Sequence, residues 1–428
     1  LKLSRGLGDV YKRQSKGSVI WLPKGWTIFE IIRKYIRECL QECDYKEVNT
    51  PIVGNRILWE KSGHWSKFKE NMFGCVDIHE DDLHGKNSVN FDRDAGGNEE
   101  LDENNKDLDR KNLEEKNIDK KENNSLKQDG DLVNNKIDNN VNNRVENALK
   151  PMNCPFHAHI AKRLCFSYQD LPLRLAEFGI CHRNEASGAL YGSMRVRQLT
   201  QDDAHIFCTE DKLIDEIIKI CKLLYRVYKK FGVENVRVKL STRPEVYAGK
   251  LDLWNKAEES LKRVLDEMDL KYEINEGEGA FYGPKLEFVL VDVLQRDWQC
   301  GTVQLDFVLP RRLEVFYVDK DGEKKHPVMI HRAILGSFER FIAILIEHYK
   351  GRFPLWLAPV QIVLNKISDD VRDYVKSVYK ELKKVGVRVE MDLGSGTMQG
   401  KIRKYELQKI PVIANLGKKE FENNLINI

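Results

Sequence analysis

The sequence predicts an α+β chain: a large domain on a mainly antiparallel sheet with helices packed against it, then a small α/β domain. Two patterns carry this. As far as about Phe353, strand patterns joined by short turns mix with long amphipathic helices, as expected of an antiparallel sheet with helices on it. From Pro359 strand and helix alternate over 361–364, 369–385, 387–391, 398–408 and 411–415, with Gly386 closing the first helix. The boundary is expected near Arg352-Phe353-Pro354.

In chain order, Thr27-Ile28-Phe29-Glu30 reads as a capping box opening a helix whose apolar face is Ile28, Ile31, Ile32, Tyr35, Ile36, Cys39 and Leu40. A strand over 46–50 runs into Pro51. Strands over 171–178 and 198–207 flank the loop from Arg183 to Gly188, and the turn residues between them predict a hairpin. Helical periodicity marks 211–231, with Ile214, Ile217, Ile218, Cys221, Tyr225 and Tyr228 on one face, and 251–268. Strands are expected over 284–293 and 297–309, and a helix over 336–349.

With 428 residues, 41% of them hydrophobic, the chain can bury a core in each of two or three domains. No apolar run reaches the roughly 18 to 20 residues that span a bilayer, and no secretory signal opens the chain, so a cytoplasmic or organellar protein with no membrane role is expected. The nine cysteines lack a CxxC pair, which points to reduced thiols with one or two used as ligands. The chain starts at Leu1 and reads as a fragment.

Residues 81–148 carry 16 Asn, a single aromatic residue, Phe91, and 11 Lys/Arg against 18 Asp/Glu. Such a segment cannot bury enough apolar area to offset its ordering entropy, and is expected to be a disordered low-complexity insertion. The net charge of +3 therefore hides a basic body, which suits a phosphate-rich partner without identifying one.

Three stretches concentrate polar groups within strand patterns: Leu149-Lys150-Pro151-Met152-Asn153-Cys154-Pro155; Arg174 through Glu177-Phe178-Gly179 to Cys181-His182-Arg183-Asn184-Glu185; and Arg195-Val196-Arg197 leading into Thr200-Gln201-Asp202-Asp203-Ala204-His205. They suggest a sheet floor that binds an anion. With Ala280-Phe281-Tyr282-Gly283-Pro284-Lys285-Leu286-Glu287-Phe288 and Gly336-Ser337-Phe338-Glu339-Arg340 in order behind them, the chain resembles the threonyl-tRNA synthetase family of class II aminoacyl-tRNA synthetases over nearly all residues outside the insertion. Pro51 with its preceding helix looks like the first class signature, tied to a homodimer interface; 183–205 looks like the second and 336–340 the third.

The resemblance implies a class II synthetase fold with a catalytic domain over 15–353 and an anticodon-binding domain over 354–428. It implies ATP-dependent activation of L-threonine and its transfer to tRNA(Thr), with Mg²⁺ accompanying the ATP. Arg183 and Arg340 would grip phosphates with their guanidinium forks, helped by Arg195, while Glu185 would accept from the adenine amino group. Lys285 and Gln299 would also reach the nucleotide. For Arg195 and Arg197 solvated surface pairs are the alternative. Gln201, Asp203, Tyr282 and Gln304 would contact threonine. His64 would stand near the transfer step, its titration near neutral pH suiting proton movement, with a structural or ribose-contacting role as the alternative. Glu420 would contact the anticodon.

Cys154, His205 and His331 show no local ligand spacing; their motifs match the family's three zinc positions. One zinc per chain is implied, one thiolate and two imidazoles leaving a position open for the substrate's amino and hydroxyl groups. That chemistry would reject valine, which a purely apolar pocket separates from threonine by only about 10²-fold. Five departures stand out. Leu199 occupies a position where family members commonly stack an aromatic ring on adenine, and Phe156 replaces a small residue beside Cys154. Residues 1–14 resemble nothing in the family and read as a cloning or assembly scar, or a basic targeting remnant. No counterpart of the family's domain that hydrolyses mischarged seryl-tRNA is expected within these 428 residues, and the chain is read as stopping at Ile428 inside the anticodon-binding domain.

Overall fold

The structure, a computed structural model, describes residues 8–10, 16–76, 146–165, 167–292 and 295–426. The Asn-rich insertion, except for residues 146–148, and most of the stretch 1–14 lie outside the described residues. The chain divides into two compact units, 1–73 with 149–428, and 74–148. In the second, Gly74 and Cys75 pair antiparallel with Ala148 and Asn147. Among the described residues no helix is long and apolar enough to cross a membrane.

The first unit is built on an eight-stranded sheet of β1 (Lys46–Glu47), β2 (Leu173–His182), β3 (Gln198–Cys208), β4 (Val236–Ser241), β5 (Tyr272–Asn275), β6 (Lys285–Val291), β7 (Asp297–Asp306) and β8 (Val328–Ala333). Their order is β5-β4-β6-β7-β8-β3-β2-β1. All inner pairs are antiparallel, as the short connections predict, and only the outermost pairs, β5 with β4 and β1 with β2, are parallel. The predicted hairpin is β2–β3, in register from Leu173↔Phe207 to His182↔Gln198.

The period of two along each strand separates a core face from a site face. Ala204, Ile206, Leu305 and Ile330 lie fully buried in the main hydrophobic cluster. Against that cluster pack α1 (Pro23–Glu42), α4 (Leu213–Lys230), α5 (Leu251–Glu267) and α6 (Phe338–His348). On α1 the expected apolar face is correct, with Ile28, Ile32 and Ile36 wholly buried, and Phe29 stacks on Phe338 at 4.4 Å between ring centroids. The capping box is not there. The helix starts one turn earlier at Pro23, whose fixed φ suits a first turn, and Thr27 Oγ1 donates back to Pro23 O at 2.9 Å inside the helix.

Two short helices complete the site side: α2 (Arg56–Ser62), capped by Asn55, and α3 (Cys154–Leu164). A second hydrophobic cluster joins Cys154, Ala158 and Ala161 of α3 to Leu173, Leu175, Phe207 and Met329 of the sheet. The C-terminal residues form a parallel three-stranded sheet of β9 (Ile362–Lys366), β10 (Val389–Asp392) and β11 (Val412–Leu416), in the order β10-β9-β11, with α7 (Arg372–Lys384) and α8 (Met398–Leu407). Past the end of α7, Gly386 takes φ 84°, a left-handed conformation that ends helices at little cost in glycine.

β1 is shorter than the expected 46–50 because the next backbone donor leaves the ladder. Val48 N–H still reaches Ala176 O at 2.8 Å, but Thr50 N–H donates to the Glu177 carboxylate at 3.0 Å. That carboxylate also accepts from Thr50 Oγ1 at 2.8 Å and Lys150 Nζ at 2.8 Å, and faces His157 Nε2 at 3.1 Å. Burial alone would raise its pKa; the hydrogen bonds from His157, Lys150 and Thr50 overcome this and hold it at about 2. Lys150 and Glu177 are both buried, and removing one partner of such a pair strands the other's charge. Lys150→Met should therefore lower unfolding free energy by about 3 kcal/mol or more, read from urea unfolding; a loss under about 1 kcal/mol would refute the role given to this pair.

Candidate active site

Register places one residue from each of five neighbouring strands in a single row. Leu175 of β2 pairs with His205 of β3, His205 with His331 of β8, His331 with Gln304 of β7, and Gln304 with Lys285 of β6. Gln201 and Asp203 share the face of His205 by alternation. Over this face opens a cavity of about 610 Å³. Its lining includes Cys154, Arg183, Glu185, Arg195, Leu199, Gln201, Asp203, Tyr282, Lys285, Gln299, Gln304, His331 and Arg340.

Cys154, first residue of α3, meets His205 and His331 with all three ligand atoms within 4.8 Å of one another. His205 Nε2 lies 3.1 Å from His331 Nδ1. Burial pushes the Cys154 thiol well above its ordinary value, with the charges of Asp203 and Asp306 adding. Burial also pushes His205 well below its ordinary value, helped by the neighbouring imidazoles. The outward nitrogens are both held: His331 Nε2 lies 3.0 Å from Asp306 Oδ2, and His205 Nδ1 lies 2.8 Å from His157 Nδ1.

At the opposite end the cavity is cationic. Arg340 is fixed through backbone carbonyls, Nε to Met194 O at 3.0 Å and an Nη to Gln299 O at 2.7 Å, and Arg183 Nε donates to Pro151 O at 3.2 Å. The pKa of Arg340 is lowered, first by burial and then by the positive charges of Arg183 and Arg195. Guanidinium groups gathered in this way are short of negative charge, which an anionic ligand supplies. Arg195 reaches Glu185 at 2.8 Å, Lys285 pairs with Glu287 at 2.5 Å, and Gln299 donates to Glu287 at 2.7 Å. Leu199 and Val196 sit in the wall, packed with the buried Cys181 behind them.

Between the two ends, Asp203 accepts from Asn153 Nδ2 at 2.9 Å, and burial raises its pKa. Tyr282 donates to Gln304 Oε1 at 3.0 Å, its ring 5.0 Å from that of His331. Phe156 packs edge-on against Trp59. Three expected residues lie off the cavity wall: His205, wholly buried behind it, His64 and Glu420. His64 is 1% exposed, with Nδ1 at 2.8 Å from Ser62 Oγ and no partner on Nε2. Burial lowers its pKa to about 4, so it is neutral at pH 7 instead of titrating there. Glu420 lies in the C-terminal residues, where its carboxylate caps a short helix by accepting from Gly417 N–H at 2.8 Å.

Residues 136–349 match the tRNA synthetase class II core domain (G, H, P, S and T), and residues 359–428 match the anticodon binding domain. The crystal structure of the RNA binding domain of threonyl-tRNA synthetase from Cryptosporidium parvum Iowa II superposes with a TM-score of 0.81 at 35% identity, covering 99% of this chain and 91% of that one. The chain belongs to the threonyl-tRNA synthetase family of class II tRNA synthetases. Threonine–tRNA ligases of Rickettsia bellii (strain OSU 85-389) and Orientia tsutsugamushi (strain Ikeda) are 46% and 47% identical over 418 residues, 98% of this chain. The chain spans about half the length of these curated relatives, 56% and 57%. A prolyl-tRNA synthetase of Giardia lamblia shares the fold at a TM-score of 0.65 and 16% identity, covering 99% of this chain and 70% of that one.

In this class II synthetase several residues at the site were not picked out from the sequence: His157, Asp306, Glu287 and Glu339. His157 carried a signal, lying three residues after Cys154 and so on the same face of α3. Asp306 and Glu287 follow Gln304 and Lys285 by two, on the same face of their strands. Glu339 is visible only in three dimensions: at the start of α6 its carboxylate accepts from Thr200 N–H at 2.9 Å, tying the helix that carries Arg340 to β3. Burial raises its pKa to about 7 against the Thr200 hydrogen bonds. A carboxyl raised in this way binds its proton more tightly folded than unfolded, so its contribution to stability is full below about pH 4.5 and is lost as pH rises through 7. Glu339→Gln should remove that loss: the variant's urea midpoint relative to wild type should climb between pH 4.5 and 7 and then level off. A difference that stays constant over this window would overturn the assignment.

Proposed function

We propose that the chain is the catalytic and anticodon-binding part of a threonine–tRNA ligase, which activates L-threonine with ATP to threonyl-adenylate and transfers it to the 3′ end of tRNA(Thr). The observation that carries this is the two-ended cavity, with fixed guanidinium groups at one end and a Cys/His/His cluster at the other, in a member of the threonyl-tRNA synthetase family. Residues 15–353 would be the catalytic part and 354–428 the anticodon-binding part, with Glu420 among the anticodon contacts. A homodimer joined through the region of Pro51, in the cytoplasm or an organelle, completes the reading.

In the first step a threonine carboxylate oxygen attacks the α-phosphorus of ATP, forming the new P–O bond as the bond to the β-phosphate breaks and pyrophosphate leaves. Arg183 and Arg340, held through carbonyl contacts at fixed angles, position the phosphates and offset the charge that develops, with Arg195 and Mg²⁺ assisting. Glu185, Lys285 and Gln299 hold the nucleotide. Gln201, Asp203 and the Tyr282–Gln304 pair orient the amino acid. In the second step a tRNA ribose oxygen attacks the carbonyl carbon and AMP leaves. His64, buried off the cavity wall with its pKa lowered to about 4, is a weak base at pH 7, which favours the structural alternative for it over a part in proton movement.

The donor set fits a zinc ion: one thiol and two imidazoles, buried at the cavity floor, with the outward nitrogen of each histidine engaged. Zinc held by Cys154, His205 and His331 would supply Lewis-acid coordination to the amino and hydroxyl groups of threonine, a hydroxyl that valine lacks. Serine keeps the hydroxyl and differs by one methyl group, about 1–3 kcal/mol, so the site is expected to admit some serine.

ATP–pyrophosphate exchange should depend on threonine and be at least about 100-fold weaker with valine. Cys154→Ala should lose stoichiometric zinc and most of the exchange; full exchange by metal-free protein would refute the reading. Leu199→Phe should add an aromatic surface for adenine and tighten ATP binding by about fivefold, equivalent to ~1 kcal/mol, in a titration by calorimetry. An unchanged or weaker constant would count against placing adenine at Leu199.

A further inference from the structure

Five buried side chains form one hydrogen-bonded line: Glu177, His157, His205, His331 and Asp306. Its two ends are anions whose other hydrogen bonds leave them only the role of acceptor. At one end Glu177 receives Thr50 N–H, Thr50 Oγ1 and Lys150 Nζ. At the other, Asp306 Oδ1 receives Val308 N–H at 2.7 Å and Leu309 N–H at 2.8 Å, leaving Oδ2 to face His331. A carboxylate at each end fixes the proton on the nitrogen it faces, so His157 carries its proton on Nε2 and His331 on Nε2.

The rest follows from neutral imidazoles, each with one donor and one acceptor nitrogen. His157 Nδ1 is then an acceptor and takes its hydrogen bond from His205 Nδ1–H at 2.8 Å. His205 is left with a lone pair on Nε2, and His331 with a lone pair on Nδ1. These two atoms face each other across 3.1 Å, beside Cys154. Two lone pairs at that distance repel unless a cation lies between or beside them. The competing arrangement, with a proton on both nitrogens of His157, would reverse the polarity and place the His205 proton on Nε2, where it blocks coordination.

We propose that His157, oriented by Glu177, is a positioning residue that selects the Nδ1–H tautomer of His205, and that Asp306 selects the Nε2–H tautomer of His331, so that Nε2 of one and Nδ1 of the other are presented to a divalent metal. This rests on the zinc reading above. His157 touches neither the cavity nor the reacting groups. Its effect runs through the ring of His205.

The test uses the full chain loaded with zinc. Zinc affinity is measured by competition with a chelator for the wild type, His157→Leu and His157→Gln. Leucine fills similar space but cannot accept from His205. Glutamine can donate its amide to Glu177 and accept at its oxygen, restoring the line. The expectation is a 10–100-fold weaker affinity for the leucine variant and a value within about threefold of wild type for glutamine. Wild-type affinity in the leucine variant overturns the proposal, as does a glutamine variant as weak as leucine, which would mark the loss as one of packing. If wild type takes up no stoichiometric zinc, the metal reading falls and the relay with it. A variant-free measurement covers failure to fold. In metal-loaded wild-type protein labelled with ¹⁵N-histidine, the ring-nitrogen shifts should show His205 protonated on Nδ1 and His331 on Nε2; the opposite tautomer in either overturns the proposal.

Discussion

The buried carboxylate of Glu177 is the constraint around which the site side of the main sheet is arranged. It draws together groups from four separate stretches: Thr50 after β1, Lys150 ahead of α3, His157 within α3, and its own strand β2. An unpaired carboxylate at this depth would be very costly, so the chain must bring those donors to it, and in doing so seats α3 over the sheet. Cys154 begins that helix. The position of the thiol beside His205 and His331 is therefore a product of ion pairing several residues away, and the strand that would have continued past β1 gives up its ladder bond to supply one of the donors.

A second constraint is strand register. His205, His331, Gln304 and Lys285 come from parts of the chain far apart in sequence, yet antiparallel pairing sets them side by side. A slip by one residue in any of these strands would turn the site residue into the core and an isoleucine or leucine into the cavity. The core cluster of Ile206, Leu305 and Ile330 on the other face thus protects the chemistry by making such slips expensive. The cationic end is organised differently: Arg183 and Arg340 are oriented by main-chain carbonyls, which leave their charge uncompensated for a ligand.

Much of this was legible from residues alone. The large sheet and its antiparallel connections followed from turn spacing, and the C-terminal alternation of strand and helix gave β9–β11 with α7 and α8. The buried stripe of α1 was plain from its period. Its start was not, because Thr27 and Glu30 mimic a cap that Pro23 pre-empts one turn earlier. The strands β4, β5 and β8 went unread, as did α3, being short or crowded with polar residues that periodicity cannot sort. The candidate residues lining the cavity were reached through motifs. Their neighbours His157 and Asp306 carried only the weak signal of sharing a face with Cys154 and Gln304, and Glu339 was hidden because it acts across a fold contact to Thr200 that no local spacing encodes.

The entry and exit of the segment between Phe73 and Leu149 have a further consequence. Leu149 N–H donates to Phe73 O at 2.9 Å, and the next residue, Lys150, donates its N–H to Ile52 O at 2.8 Å. The chain thus leaves the main unit and returns to it at adjoining points, and the first residue past the return belongs to the Glu177 cluster. The free energy of closing a loop rises only with the logarithm of its length. A change of length between these two anchors therefore costs little in chain closure and leaves both anchoring hydrogen bonds in place.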